Sequence, residues 1–303
     1  MKRILLIVTG DLEKKALADS LERLLRASGC DVEFDPPLKV PAITTTPLPD
    51  PSASAIPTAV RNMAKALVEE ALRGRRGNPP DLVIGIDDLE LANVARPNVV
   101  IAWIKRGVNA RIDELYPSQD ANSRVRAILR DRCSFHLLVP MVESYFYGHR
   151  AALTAARVAL STPVYRVGDD VEAFETDDPE FLRIAIAANE KKRSKNIDWW
   201  FEERHPKNYL DFLIQRIENA LPYDELSDGG KAFGALDWPT AAHEVLAARA
   251  STTPPQNMAF ARALFEDLAE FFSVLNPLGQ GTPHYLTYPT KRVRREALTL
   301  RNL

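Results

Sequence analysis

The run Leu82-Val83-Ile84-Gly85-Ile86, apolar throughout, constrains this chain more than any other feature. A strand with one wet face alternates apolar and polar side chains, whereas a run without alternation is covered on both faces, as in a parallel sheet. Residues 59 to 72 have helical spacing, and Arg73-Gly74-Arg75-Arg76-Gly77-Asn78-Pro79-Pro80 then turns the chain into the run. That order predicts a βαβ unit with 82–86 as a buried central strand. Parallel sheets bind ligands beyond the carboxyl ends of their strands, and this strand ends in Asp87-Asp88.

The N-terminus repeats the pattern. Residues 3 to 8 are β-branched and leucine-rich and meet Thr9-Gly10-Asp11, and Leu17, Leu21, Leu24 and Leu25 then recur at helical spacing. A strand, a tight turn and a helix are expected. Met1-Lys2-Arg3 before an apolar stretch has the look of a signal peptide, but the stretch is too short and lacks a small-residue cleavage site. Gly29 stops the helix, and Val32-Glu33-Phe34 reads as a short second strand. Residues 36 to 58 then hold seven of the 22 prolines and form an extended excursion.

Further on, residues 98 to 104 fit either a strand or a helix start, 122 to 132 read as a basic helix, and 134 to 139 read as a strand closed by Pro140. Residues 141 to 158 have helical periodicity with Glu143 in the first turn. The acidic loop 169–178 marks an expected boundary between an α/β domain, 1–168, and a mostly helical C-terminal domain, 169–303, with helices near 179–190, 206–219, 228–234, 239–249 and 255–274. A chain of 303 residues exceeds the usual single-domain size.

Composition excludes several classes. No apolar run approaches the roughly 18 residues of a membrane span. Cys30 and Cys133 have no spacing suited to zinc or to a disulfide framework, so a reducing, cytoplasmic setting is expected. A formal charge of -2 does not announce a nucleic-acid binder, leaving that role to local patches. The sequence contains no Walker loop, Rossmann glycine fingerprint, nucleophile elbow or HExxH motif.

Adjacent carboxylates after a buried strand suit a hard divalent cation, Mg²⁺ or Mn²⁺, which makes Asp87 and Asp88 candidate ligands. The same pair serves equally well in a strand-to-helix turn. Glu90 either extends the cluster or favours the dipole of a helix's first turn. Glu143 follows another strand and would reach the same edge if the strands are neighbours; otherwise it is a solvent-facing glutamate. Glu13 stands at the start of the first helix, where the dipole gives it an ordinary role. Lys191, Lys192, Arg193 and Lys195, with Trp199-Trp200-Phe201, Arg204 and Lys207, combine cations with aromatic faces, as nucleic-acid surfaces do. A solvated helix end beside core aromatics has the same composition. The basic run Lys291-Arg292-Val293-Arg294-Arg295 is similar, and His136 reads as a core histidine.

Three blocks carry a resemblance to the topoisomerase–primase (Toprim) group, in particular to a small Toprim-like family found near bacterial restriction and antiphage genes. They are Val8-Thr9-Gly10-Asp11-Leu12-Glu13-Lys14-Lys15-Ala16-Leu17, then Ile84-Gly85-Ile86-Asp87-Asp88, then Val139-Pro140-Met141-Val142-Glu143-Ser144-Tyr145. His205-Pro206-Lys207-Asn208-Tyr209-Leu210 is similar to a block that such proteins carry after the sheet domain. The resemblance implies a Mg²⁺-dependent nuclease of antiphage defence, with Asp87, Asp88 and Glu143 as ligands and a first-strand glutamate as acid or base, a role that Glu13 would take over here, while Glu90 as a further ligand would restore reach from Asp88. This chain has Thr9 at the glutamate position, with Glu13 one turn later, and its aspartates are contiguous where the family spaces them as Asp-x-Asp. The alternative implied by Thr9 is a catalytically inactive sensor or a partner-binding subunit of a defence complex.

Overall fold

The computed structural model describes residues 1–52, 55–242, 257–288 and 298–303. Four strands form one parallel sheet in the order β2-β1-β3-β4: β1 is Lys2–Val8, β2 Val32–Lys39, β3 Leu82–Asp88 and β4 Cys133–Leu138. The run 82–86 is an inner strand between β1 and β4. β2 extends beyond the expected 32–34 and passes through Pro36 and Pro37. Proline cannot donate to a ladder, but β2 lies at the sheet edge. The register also slips there, Leu5 pairing with Asp35 and Ile7 with Leu38, so a bulge takes up the prolines.

Ile4, Leu6 and Val8 of β1 and Leu82, Ile84 and Ile86 of β3 face one apolar core, while Leu5, Ile7, Val83, Phe135 and Leu137 face another. The second core is closed by α2 (Thr58–Leu72), α4 (Pro97–Leu115) and α5 (Gln119–Arg132); short α3 (Glu90–Asn93) links β3 to α4. Residues 98 to 104 are therefore helix. The first core is closed by α1 (Ala18–Ala27), α6 (Arg150–Ala155), α7 (Pro179–Arg193), α8 (Pro206–Gln215), α9 (Gly230–Ala235), α10 (Trp238–Ala241) and α11 (Ala259–Phe272). Segments on either side of residues 168 and 169 thus share that core.

One expected helix is replaced. Residues Val142–Gly148 form successive 3₁₀ turns, and only α6 within the stretch 141–158 is α-helical. All of 142–148 are buried, so this stretch has no polar face to give to water, and Gly148 ends it where a side chain would strike the Ala241 carbonyl at 2.6 Å.

The far edge of β4 is covered by the residues near the C-terminus. Asn302 accepts from the Phe135 amide at 3.0 Å and donates to the Phe135 carbonyl at 2.8 Å, copying the two hydrogen bonds of a neighbouring strand. His136 is a core residue, fully buried with Nε2 3.2 Å from Asp267, which also binds Arg301 at 2.7 Å. Cys30 and Cys133 are free thiols. Among the described residues no helix is long and apolar enough to cross a membrane. The basic run 291–295 and most of the expected helix 239–249 lie outside the described residues.

Candidate active site

Val8 pairs with Ile86, so the ends of β1 and β3 meet side by side and set Thr9 beside Asp87. The Thr9 hydroxyl donates to Asp87 Oδ1, and the Ile43 amide donates to Oδ2 at 3.2 Å. The Thr44 hydroxyl lies against the same carboxylate and the Asp88 carbonyl. Both Asp87 oxygens are thus taken by protein donors, and the aspartate ties the proline-rich excursion to the sheet. Asn93 completes the tie, donating to the carbonyls of Thr44 and Thr46 and accepting from the Leu48 amide at 3.0 Å.

Successive side chains of a strand alternate in direction, so Asp88 leaves β3 on the opposite side. Its Oδ1 is sealed from solvent and has no hydrogen-bond partner among the described residues. Asp88 opens into a cavity of about 260 Å³ that is also lined by Glu13, Asp87, Glu90, Glu143 and Glu225. The cavity's basic side chains are Lys207, ion-paired with Glu225, and the imidazole of His205. The expected residues Glu13, Asp87, Asp88, Glu90 and Glu143 are therefore brought together, and Lys207 joins them instead of the basic tract. Glu225 was not anticipated.

Local geometry explains how each arrives. The first helix begins with a π-helical turn, Glu13–Leu17, a form that recurs at functional sites. It lays the Glu13 carboxylate over Gly10 so closely that a Cβ there would sit 1.9 Å from Oε2 and would push the carboxylate aside. Glu90 has φ 56°, a left-handed conformation strained for a glutamate, and its amide donates to the Pro140 carbonyl at 2.7 Å. Glu143 enters from the first 3₁₀ turn after β4. Lys207 enters from the first turn of α8, which His205 caps by accepting from the Asn208 amide at 3.2 Å. Glu225 follows Asp224, whose side chain accepts from the Ser227 amide.

Six carboxylates against one lysine cannot all stay ionised in a closed space. Burial, with Glu143 and Asp87 adding repulsion, pushes Glu13 up to about 8. Burial raises Glu143 to about 7 against the pull of Lys207. Asp87 also rises to about 7 by burial, despite its hydrogen bonds to Thr9 and Ile43. Asp88 lies well above the carboxylate range through burial and the charges of Glu13, Glu90 and Glu143. His205 is lowered to about 4 by burial and by Lys207, so it is neutral.

Among the described residues no group of three or more His, Cys, Asp and Glu side chains is placed to hold a metal ion. In donor type the lining would suit a hard divalent cation: carboxylate oxygens, one with no hydrogen-bond partner among the described residues, around a chamber that could keep waters. Asp88 and Glu143 would hold it most directly, since Asp87 is already engaged.

The basic tract lies elsewhere. Lys191, Lys192 and Arg193 end α7, where cations complement the helix dipole, and Lys195 follows. Lys191, Arg193 and Lys195 are exposed, while Lys192 Nζ sits 3.6 Å over the Trp200 ring. Arg204 stacks on Phe201 at 5.1 Å and pairs with Glu175 at 3.0 Å.

No protein-family model matches this chain, and no curated protein or solved structure matches it either.

Proposed function

We propose that the chain is a Toprim-like, Mg²⁺- or Mn²⁺-dependent phosphodiester-cleaving protein acting on nucleic acid in the cytoplasm. A role in bacterial antiphage defence, with a protein partner in a defence complex, follows from the resemblance. The observation that carries the reading is the unpartnered Asp88 oxygen inside a six-carboxylate chamber at the carboxyl edge of a parallel sheet.

A divalent cation bound there would polarise a phosphoryl oxygen and offset its developing negative charge. Glu13, raised to about 8, holds a proton at neutral pH and can deliver it to a leaving oxygen as a general acid. Thr9 replaces the family's glutamate, and its hydroxyl is committed to Asp87, which leaves proton transfer to Glu13. Asp87 acts as a positioning residue, ordering residues 43–48 over the site. Lys207, beside Glu143 and Glu225, supplies a fixed positive charge for a phosphate.

Cleavage of single- and double-stranded DNA and RNA with Mg²⁺ or Mn²⁺ tests this, alongside calorimetric cation titration of wild type and Asp88→Ala. Metal-dependent cutting and cation uptake, both lost in Asp88→Ala, are expected; a folded protein that takes up no cation removes the reading. The occupation of both Asp87 oxygens by protein donors favours the second reading, an inactive partner-binding subunit. Binding of a partner with no turnover, unchanged by EDTA, would select it.

A further inference from the structure

A second cavity, of about 380 Å³, backs onto the carboxylate chamber, and its lining includes Leu91, Ala92, Val94, Trp199, Phe201 and Arg204. Glu90 lines the chamber and Leu91 the second cavity; His205 lines the chamber and Arg204 the second cavity. Two segments, 90–91 and 204–205, thus contribute consecutive residues to the two spaces.

The aromatic side chains here are not core residues. Trp199, Trp200 and Phe201 are half-buried and belong to neither apolar core. Trp200 is held, donating from Nε1 to Glu202 at 2.6 Å with Lys192 above its ring and His205 at 4.9 Å. Trp199 touches Trp200 edge-on at 5.9 Å, and its indole N–H makes no hydrogen bond among the described residues. Arg204, pinned by Glu175, holds Phe201 from the other side. The cavity therefore offers aromatic surface over the apolar floor of α3.

Its polar rim matches a nucleobase. Arg96 is exposed and has no ion pair among the described residues, while Asp198 supplies an acceptor suited to a base amino group and hostile to a phosphate. Unpaired bases are recognised by stacking on aromatic faces and guanidinium planes, with edge hydrogen bonds. The exposed cations Lys191, Arg193 and Lys195, close in sequence to Trp199, complement a strand's phosphates.

We propose that this cavity receives an unpaired base of a single nucleic-acid strand. Resting on the phosphodiester-cleavage reading, we place that strand's neighbouring phosphate at the carboxylate chamber. A duplex base is stacked and paired and enters only if flipped out, so the protein prefers single strands.

The test is fluorescence anisotropy of a labelled short oligonucleotide in EDTA, where no turnover contributes, with wild type, Trp199→Ala and Trp199→Phe. Loss of one stacked base weakens binding between roughly 5- and 150-fold. That loss is expected in Trp199→Ala, with most affinity kept in Trp199→Phe and duplex bound weakly by all three. A strand carrying abasic sites keeps its phosphates but lacks bases, so it should bind wild type and Trp199→Ala equally. Circular dichroism melts check that both variants fold. Equal affinity of Trp199→Ala and wild type for the intact strand overturns the proposal. So does a free mononucleotide that binds as tightly as the strand and depends on Trp199, since a small nucleotide would then be the ligand. Trp199-dependent strand binding without metal-dependent cutting leaves the base site standing and removes the cleavage reading; cutting that Trp199→Ala does not impair does the reverse.

Discussion

Glu143→Gln should stabilise the metal-free protein, and by an amount that depends on pH. Burial raises the Glu143 carboxyl from 4.5 to about 7 in the folded chain. Between those values the folded protein retains a proton that the unfolded chain has released. Folding stability therefore falls as pH rises through this window, and the full penalty is present above about pH 7. At 1.36 kcal/mol per unit this penalty is roughly 3 kcal/mol at pH 8, and under about 1 kcal/mol at pH 5. Glutamine keeps the shape and cannot ionise, while Lys207 keeps its partner Glu225. Urea unfolding in EDTA should thus find the two proteins within about 1 kcal/mol at pH 5 and the variant ahead by roughly 2–3 kcal/mol at pH 8. Saturating Mg²⁺ should raise the wild type, by ~2.7 kcal/mol at a hundred times Kd, and the variant by less. A variant that is less stable at pH 8, or a difference that does not change with pH, would refute the idea of a chamber held under electrostatic strain.

Three other perturbations separate the parts of the fold. Gly10→Ala places a methyl group where the Glu13 carboxylate lies; metal-dependent cleavage should fall at least tenfold with little change in melting temperature, because Glu13 is displaced while the core is untouched. Thr44→Val removes the hydroxyl that joins the excursion to Asp87 and the Asp88 carbonyl; limited proteolysis should then cut within residues 40–49 at least several-fold faster, at a stability cost of about 1–3 kcal/mol. Asn302→Ala strips the edge of β4 of both substitute strand bonds, leaving the Phe135 amide and carbonyl buried and unpaired; chemical denaturation should register a loss of roughly 2–4 kcal/mol, and a loss below 0.5 kcal/mol would mean that water replaces the side chain.

Features governed by short-range pattern could be read from the residues. The central strand β3, the strand 134–138 and the helices after Thr9 and Ala59 follow from periodicity, because a parallel sheet demands unbroken apolar runs and its covering helices demand spaced ones. Where the local signal and the tertiary demand disagree, the tertiary demand prevails. Pro36 and Pro37 argue against a strand, yet at an edge with a bulge they interrupt no inner ladder. Residues 142–148 have helical spacing, yet enclosure on every side breaks them into 3₁₀ turns.

The same division runs through the candidate site. Asp87, Asp88, Glu13 and Glu143 stand at the ends of strands or at helix starts, where parallel topology makes neighbours of residues far apart in sequence. Lys207 and Glu225 arrive from helices beyond the sheet, and nothing in their own segments indicates a turn toward the Asp88 carboxylate. Lys207 even sits within a run of cations and aromatics whose composition suggests a nucleic-acid surface. That run divides: Lys207 turns into the chamber to meet Glu225, whereas Trp199 and Arg204 line the cavity next door. A composition that looked like one surface supplies a charge to one site and a stacking face to its neighbour. Because the segments 90–91 and 204–205 wall both spaces, a strand held by its base in one would lie beside the carboxylates of the other.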